Sequence, residues 1–162
     1  MLSTLVQHGS QPFKTHQPEC VEDILAFLPF LKEGWAKLWN DVTRELPSED
    51  FVCRCVQAAL ERDHRAVLFV FTSKNDKPLG FILAEDNSQG SVRDSLLIYA
   101  AYSNGKYQGS AAASLEFVGN WARGAGYKRL QLYSRRLNGS AMRLFRKTLG
   151  FTPAGVTFTK DL

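Results

Sequence analysis

Apolar residues along this chain follow two rhythms, one in the first third and another in the rest. Up to about residue 62 they recur every three or four positions, as on helices; from Ala66 they gather into short β-branched and aromatic runs. The segment ECVEDILAFLPFLKEGWAKLWNDV, which follows Pro18, is acidic at its start and helically patterned. It reads as one helix broken near Pro29 or as two helices, because a proline inside a helix removes a hydrogen bond and crowds the preceding turn. Ser48 then stands as an N-cap, with Glu49 and Asp50 in the favourable first turn, and predicts a further helix over residues 49–62. Ahead of these helices, residues 13–16 predict a short first strand, and the first dozen residues are expected to be loosely ordered.

The second rhythm begins with AVLFVFT, a turn SKNDKP and the apolar run LGFILAED, which together predict a hairpin. NSQG makes another turn, and SLLIYAAY, residues 95–102, predicts a third strand with apolar residues on both faces, the pattern of a sheet centre. A loop, SNGKYQG, leads into SAAASLEFVGNWARGAG, where Ala111, Leu115, Val118 and Ala122 fall on one helical stripe and Gly126 closes the helix. KRLQLYS, residues 128–134, predicts a buried strand. Asn138 to Ser140 cap the helix SAMRLFRKTL, which Gly150 ends, and GVTFTK is a last strand. This order predicts an α/β or α+β sandwich with a mixed sheet. No repeat or linker-like stretch divides the chain, so residues 1–162 read as a single domain, with a helical N-terminal part at about 13–62 and a core at about 66–162.

Composition narrows the classes. At 162 residues, 44% hydrophobic and 22% charged, the chain is long enough for one real core. No apolar run approaches a membrane span and the start lacks the pattern of a signal peptide, so a soluble, cytoplasmic protein is expected, with no membrane partner. Cys53 and Cys55 are two residues apart on a predicted helix and point to different faces. They are therefore expected to be reduced thiols, joined by neither a shared metal nor a bond to each other.

The net charge is +4, and no acidic residue lies between Glu116 and Asp161, a stretch that holds Arg123, Lys128, Arg129, Arg135, Arg136, Arg143, Arg146, Lys147 and Lys160. Such a field suits an anionic ligand, a nucleotide cofactor or a nucleic acid. Nucleic acid is the weaker reading, because no aromatic platform or recognised motif accompanies the charges.

The chemistry centres on Lys106, Tyr107, Gln108, Gly109, Ser110 and Ala111, between a predicted strand and a predicted helix. Small residues at Gly109, Ser110 and Ala111 let a ligand approach the backbone, and the free amides of a first helical turn suit a pyrophosphate. Lys106 adds a point charge.

In this respect the chain resembles the GNAT superfamily of acetyltransferases, which carry Arg or Gln, two variable residues, Gly, a variable residue and then Gly or Ala at this place. Lys106, Gly109 and Ala111 match that spacing, with Lys106 a departure at the first position. Trp121-Ala122, Gly126, Asn138, Ala141 and Gly150-Phe151 follow in family order. The resemblance covers about residues 66–151 well, and the N-terminal helices only in kind. It implies a mainly antiparallel mixed sheet of six to seven strands flanked by helices, and N-acetyl transfer from acetyl-CoA to a primary amine of a small molecule or protein. A homodimer is left open.

By the same resemblance the pyrophosphate sits on residues 107–111 and the pantetheine arm runs beside Ala101 and Tyr102, whose backbone N–H groups polarise the thioester carbonyl. Asn138, Ala141 and Phe145 flank the thioester end. Many members carry at the Phe145 position a Tyr that protonates the leaving thiolate, and Phe has no proton to give. Tyr133 and Ser134 are the candidate substitutes, and Glu85 and Asp94 the candidate general bases. His16 and His64 are expected on the surface or in loops, and Phe30, Trp35 and Trp39 in the core or along a substrate groove. The alternative implied by Phe145 is a catalytically silent binding, structural or regulatory module, of phage or mobile-element origin.

Overall fold

A computed structural model describes residues 4–5, 13–40, 48–90, 92–105, 110–132, 143, 146–147 and 150–153, with backbone only at 4–5, 39–40 and 110–111. Nine elements follow in order: β1 (Thr4–Leu5), β2 (Lys14–Gln17), α1 (Val21–Asn40), α2 (Ser48–Leu60), β3 (Ala66–Thr72), β4 (Pro78–Asp86), β5 (Ser95–Ser103), α3 (Ser110–Gly124) and β6 (Arg129–Leu132). The described sheet has six strands in chain order, antiparallel from β1 to β5, with β6 parallel to β5. The predicted helix after Asn138 and the last strand at 155–160 fall outside the described residues. Among the described residues, no helix is long and apolar enough to cross a membrane.

The helices cover both faces, which is why β3, β4 and β5 carry apolar residues on both sides. On one face α1 supplies Ile24, Leu31 and Trp35, and α2 supplies Phe51, Cys55, Ala58 and Ala59, against Leu68, Val70, Phe81, Leu83 and Ala100. On the other, Phe117, Val118 and Ala122 of α3 pack on Val67, Phe69, Ile82, Leu96 and Ile98. The buried stripe of α3 is thus broader than the four positions expected, since Phe117 and Trp121 set their edges against Phe69 at 5.1 and 5.6 Å.

Three expectations are corrected. The 20-residue helix α1 runs unbroken through Pro29, because its apolar stripe continues on both sides and packing outweighs the roughly 3 kcal/mol cost of an interior proline. The first dozen residues contain a strand, β1, paired with β2. His16 is neither a loop nor a free surface residue: it lies within β2, half-buried against Phe27, with a ring nitrogen 2.8 Å from the Thr72 hydroxyl. Burial holds its pKa below the usual imidazole range.

Two irregularities shift the strands. Thr72 pairs with Pro78 but Phe71 with Gly80, so Leu79 is an extra residue and turns toward the α3 face. Leu83 pairs with Ala100 but Ala84 with Ile98, so Tyr99 is extra, and Ala100 and Tyr102 join it on the face covered by α1 and α2.

Candidate functional site

The irregular end of β5 is built by its neighbours. Pairing with β6 runs from Ser95–Arg129 to Ile98–Leu132, whereas β5 continues to Ser103. From Tyr99 onward, therefore, no described strand pairs with the outer edge of β5. The carbonyl of Tyr102 turns the other way, over Gly80 of β4, so closely that a Cβ on Gly80 would lie 2.5 Å from it. The amide of Asn104 likewise donates to the Leu79 carbonyl at 2.9 Å. Because backbone groups alternate along a strand, those of Ala101 and Ser103 point away from β4. Gly105, at a φ of 75°, then turns the chain toward α3, whose first turn carries no acidic residue.

Side chains wall this strand from the α1 side. Gly34 brings α1 onto the Tyr102 ring, which also meets Phe30 at 5.8 Å and Phe81 at 5.7 Å. The Lys37 ammonium stands 5.9 Å above that ring and 2.5 Å from Glu33, whose carboxylate, with the Tyr102 hydroxyl, raises the lysine's pKa. Three residues earlier on the strand, the Tyr99 ring lies parallel to Trp35 at 6.0 Å, and Trp35 in turn stacks on Phe51 at 4.5 Å. Over Tyr99 sits the Arg54 guanidinium of α2, 4.2 Å from the ring centre, a cation–π contact worth about 0.5–1 kcal/mol where partly exposed. A single Arg54 nitrogen, Nη1, donates to both carboxylate oxygens of Glu85, at 2.8 and 2.6 Å. These groups border an open groove of about 660 Å³ between α2 and the ends of β3 and β4, lined also by Gln57, Glu61, Arg65 and Asp86.

Of the two carboxylates named from the sequence, Glu85 lies opposite Leu97 on the same face as Tyr99. Asp94 stands apart. It is five residues before Tyr99, about 17 Å along a strand, and its carbonyl accepts from the Lys128 and Arg129 amides at the start of β6. Its carboxylate is 3.9 Å from Arg129. Ala101 is exposed, and Tyr102 is half-buried under α1. Ser110 and Ala111 open α3. Lys106, Tyr107, Gln108, Gly109, Tyr133, Ser134, Asn138, Ala141 and Phe145 lie outside the described residues. Trp35 and Phe30 take places in the wall just described, the Trp39 side chain is not described, and His64 is exposed at a φ of 58°.

Sequence reasoning missed Arg54 and the role of Tyr99. Arg54 sits on α2 between exposed Cys53 and buried Cys55, and nothing nearby in sequence points to a carboxylate 31 residues away.

The profile described as Acetyltransferase (GNAT) family matches residues 26–151. Among solved structures, the fold is similar to that of a possible acetyltransferase from Clostridium difficile 630, with a TM-score of 0.69 at 13% identity over 94% of this chain and 99% of the other. An aminoglycoside acetyltransferase, meta-AAC0020, from an uncultured soil metagenomic sample in complex with sisomicin gives 0.68 at 15% over 93% and 97%. The aminoglycoside N-acetyltransferase AAC(6')-Iy in complex with CoA gives 0.68 at 15% over 97% and 99%. At these identities the likeness shows the fold alone. No curated protein matches the chain.

Proposed function

Given that the chain belongs to the acetyltransferase (GNAT) family, we propose that it binds acetyl-CoA and transfers the acetyl group to a primary amine. The observation that carries this reading is the strand β5, which takes an extra residue at Tyr99, has no described strand on its outer edge beyond Ile98 and then leads into α3. Main-chain donors and acceptors need partners, and a strand edge and the first turn of a helix both supply them.

The backbone groups of Ala101 and Ser103 fit a pantetheine amide chain, and the start of α3, with no acidic residue in its first turn, fits a diphosphate. On this reading residues 106–109 complete the phosphate turn, Lys106 adds its charge, and Asn138, Ala141 and Phe145 flank the thioester. Residues 1–162 act as one domain, with α1 and α2 on the acceptor side.

In the transfer, the acceptor nitrogen forms a bond to the acetyl carbon as the carbon–sulfur bond breaks, and the sulfur keeps the bonding electrons. The amine's proton passes to water in the groove beside Glu85, and the departing thiolate takes a proton from water in turn. A thiol pKa near about 8.5 makes that departure feasible without a hydroxyl at position 145.

Thermal unfolding with and without acetyl-CoA tests this reading, because a ligand at 100 times its Kd adds about 2.7 kcal/mol. Thiol release across a panel of amines then tests turnover. Gly109→Val should abolish the acetyl-CoA shift while leaving the apo unfolding temperature near that of the parent. No shift in the parent protein would overturn the proposal. A shift with no thiol release from any amine would favour a silent binding module, the reading to which Phe145 lends itself.

A further inference from the structure

We propose that the Arg54–Glu85 pair laid on the Tyr99 ring recognises the acceptor, and that it selects an amine bearing a neighbouring carboxylate. The inference rests on the reading that the acetyl group is delivered at β5 beyond Ile98. Tyr99 is the extra residue of β5 just beyond Ile98, and Glu85 lies across from Leu97, two residues before it. Arg54 lines the groove and reaches the Tyr99 ring, so it links the groove to that strand position.

The hydrogen-bond inventory indicates the ligand. A guanidinium carries five N–H donors. Among the described residues, Arg54 donates to Glu85 through Nη1, and Nε and Nη2 have no partner. The side chain is 40% exposed and lines the groove. Its Cζ stands 4.2 Å from the centre of the Tyr99 ring, which is backed by Trp35 and Phe51, so the planar fork is supported where a ligand would meet it. That is the geometry a carboxylate takes in two parallel bonds. Glu85 is 28% exposed, and each of its oxygens accepts one bond from Arg54, leaving lone pairs for an amine.

Within the pair the charges complement a zwitterion. Arg54 and Glu85 cancel, as do Arg65 and Asp86 at the far wall, 2.5 Å apart, and Glu61, which accepts from the Asp63 amide at 2.7 Å, is the one further charged residue of the lining. A zwitterion is matched group for group by the pair. A simple amine leaves the fork empty, and a polycation sets added positive charge beside Arg54.

The test compares L-amino acids with their decarboxylated amines: phenylalanine with phenethylamine, histidine with histamine, and lysine with cadaverine. Kanamycin serves as the polycation. With the full chain and acetyl-CoA, thiol release should favour each amino acid over its amine by about tenfold or more in kcat/KM, and kanamycin should rank with the amines. Arg54→Gln and Arg54→Lys should both bring the ratio close to one through KM, with the acetyl-CoA thermal shift unchanged. Calorimetric titration of phenylalanine and phenethylamine into the protein alone should give the same ranking without turnover. A ratio near one in the parent, or a ratio kept in both variants, would overturn the assignment. Failure of transfer with the binding ranking intact would instead count against the proposed activity.

Discussion

A methyl group on Gly34 would stand 2.6 Å from Cδ1 of Tyr102 and 2.5 Å from Cε1 of Phe81. That contact sets how closely α1 lies on the strands that form the candidate site. Phe81 is fully buried, so the neighbours have little room to give. Gly34→Ala gains up to about 1 kcal/mol of helix propensity but overpacks the core at a cost of about 1–3 kcal/mol. A lower midpoint in urea unfolding is expected, and a higher midpoint would show that α1 shifts freely.

Pro29 predicts the opposite sign. It is exposed in the interior of α1, lacks the amide that would bond to Leu25 and touches no part of the core. Pro29→Ala restores that bond and loses only the stiffness that proline gives the unfolded chain, worth about 1 kcal/mol. A gain of about 2 kcal/mol, read as a higher unfolding temperature, is expected.

Asp86 ties acid sensitivity to one carboxylate. Burial alone would raise its pKa, but hydrogen bonds from Ser88 and the adjacent Arg65 guanidinium outweigh this and hold it below the usual carboxylate range. Its folded pKa therefore lies under its unfolded one. The stabilisation is present above the unfolded value, near about 3.9, and is lost as pH falls through the folded value. Asp86→Asn should cost about 1–3 kcal/mol at pH 7 and less near pH 2. Urea unfolding at the two pH values checks the difference.

Two cysteines one residue apart should behave differently toward a thiol reagent. Cys53 is exposed, whereas Cys55 is fully buried and burial pushes its thiol up to about 12. Under native conditions at pH 8, mass spectrometry should find Cys53 labelled within minutes and Cys55 protected until urea unfolds the chain. Equal labelling would contradict the packing of α2.

The elements whose signals are local were legible in the sequence. β3 is AVLFVFT to the residue, because its run is apolar throughout and Ser73 begins a turn whose hydroxyl accepts from the Asn75 and Lys77 amides. The end of α3 was equally plain, since Gly126, at a φ of 94°, supplies the left-handed residue that closes a helix. The extra residues at Leu79 and Tyr99 left no such mark. Each is defined by register against another strand; Gly80 beside Leu79 is a general bulge signal that does not say which residue is extra, and LIYAAY carries no turn residue that would reveal the second.

The candidate site divides along the same line. The strand-to-helix passage around Ala101 to Ala111 could be named from spacing and small residues. The meeting of Arg54, Glu85 and Tyr99 could not, because it depends on how α2 docks across β4 and β5. Asp94 illustrates the converse: it is close to β5 in sequence, yet occupied with the first amides of β6.

The spare residue at Tyr99 also determines what length changes β5 can absorb. Before it, even-numbered positions such as Leu96 and Ile98 serve the α3 side; after it, Ala100 and Tyr102 serve the α1 side. Deleting that residue would close the bulge and restore simple alternation, with Ala100 following Ile98 and Tyr102 still against Gly34. A single-codon deletion at Tyr99 therefore keeps both halves of β5 on their present faces, whereas the same deletion inside either half would turn part of the strand over.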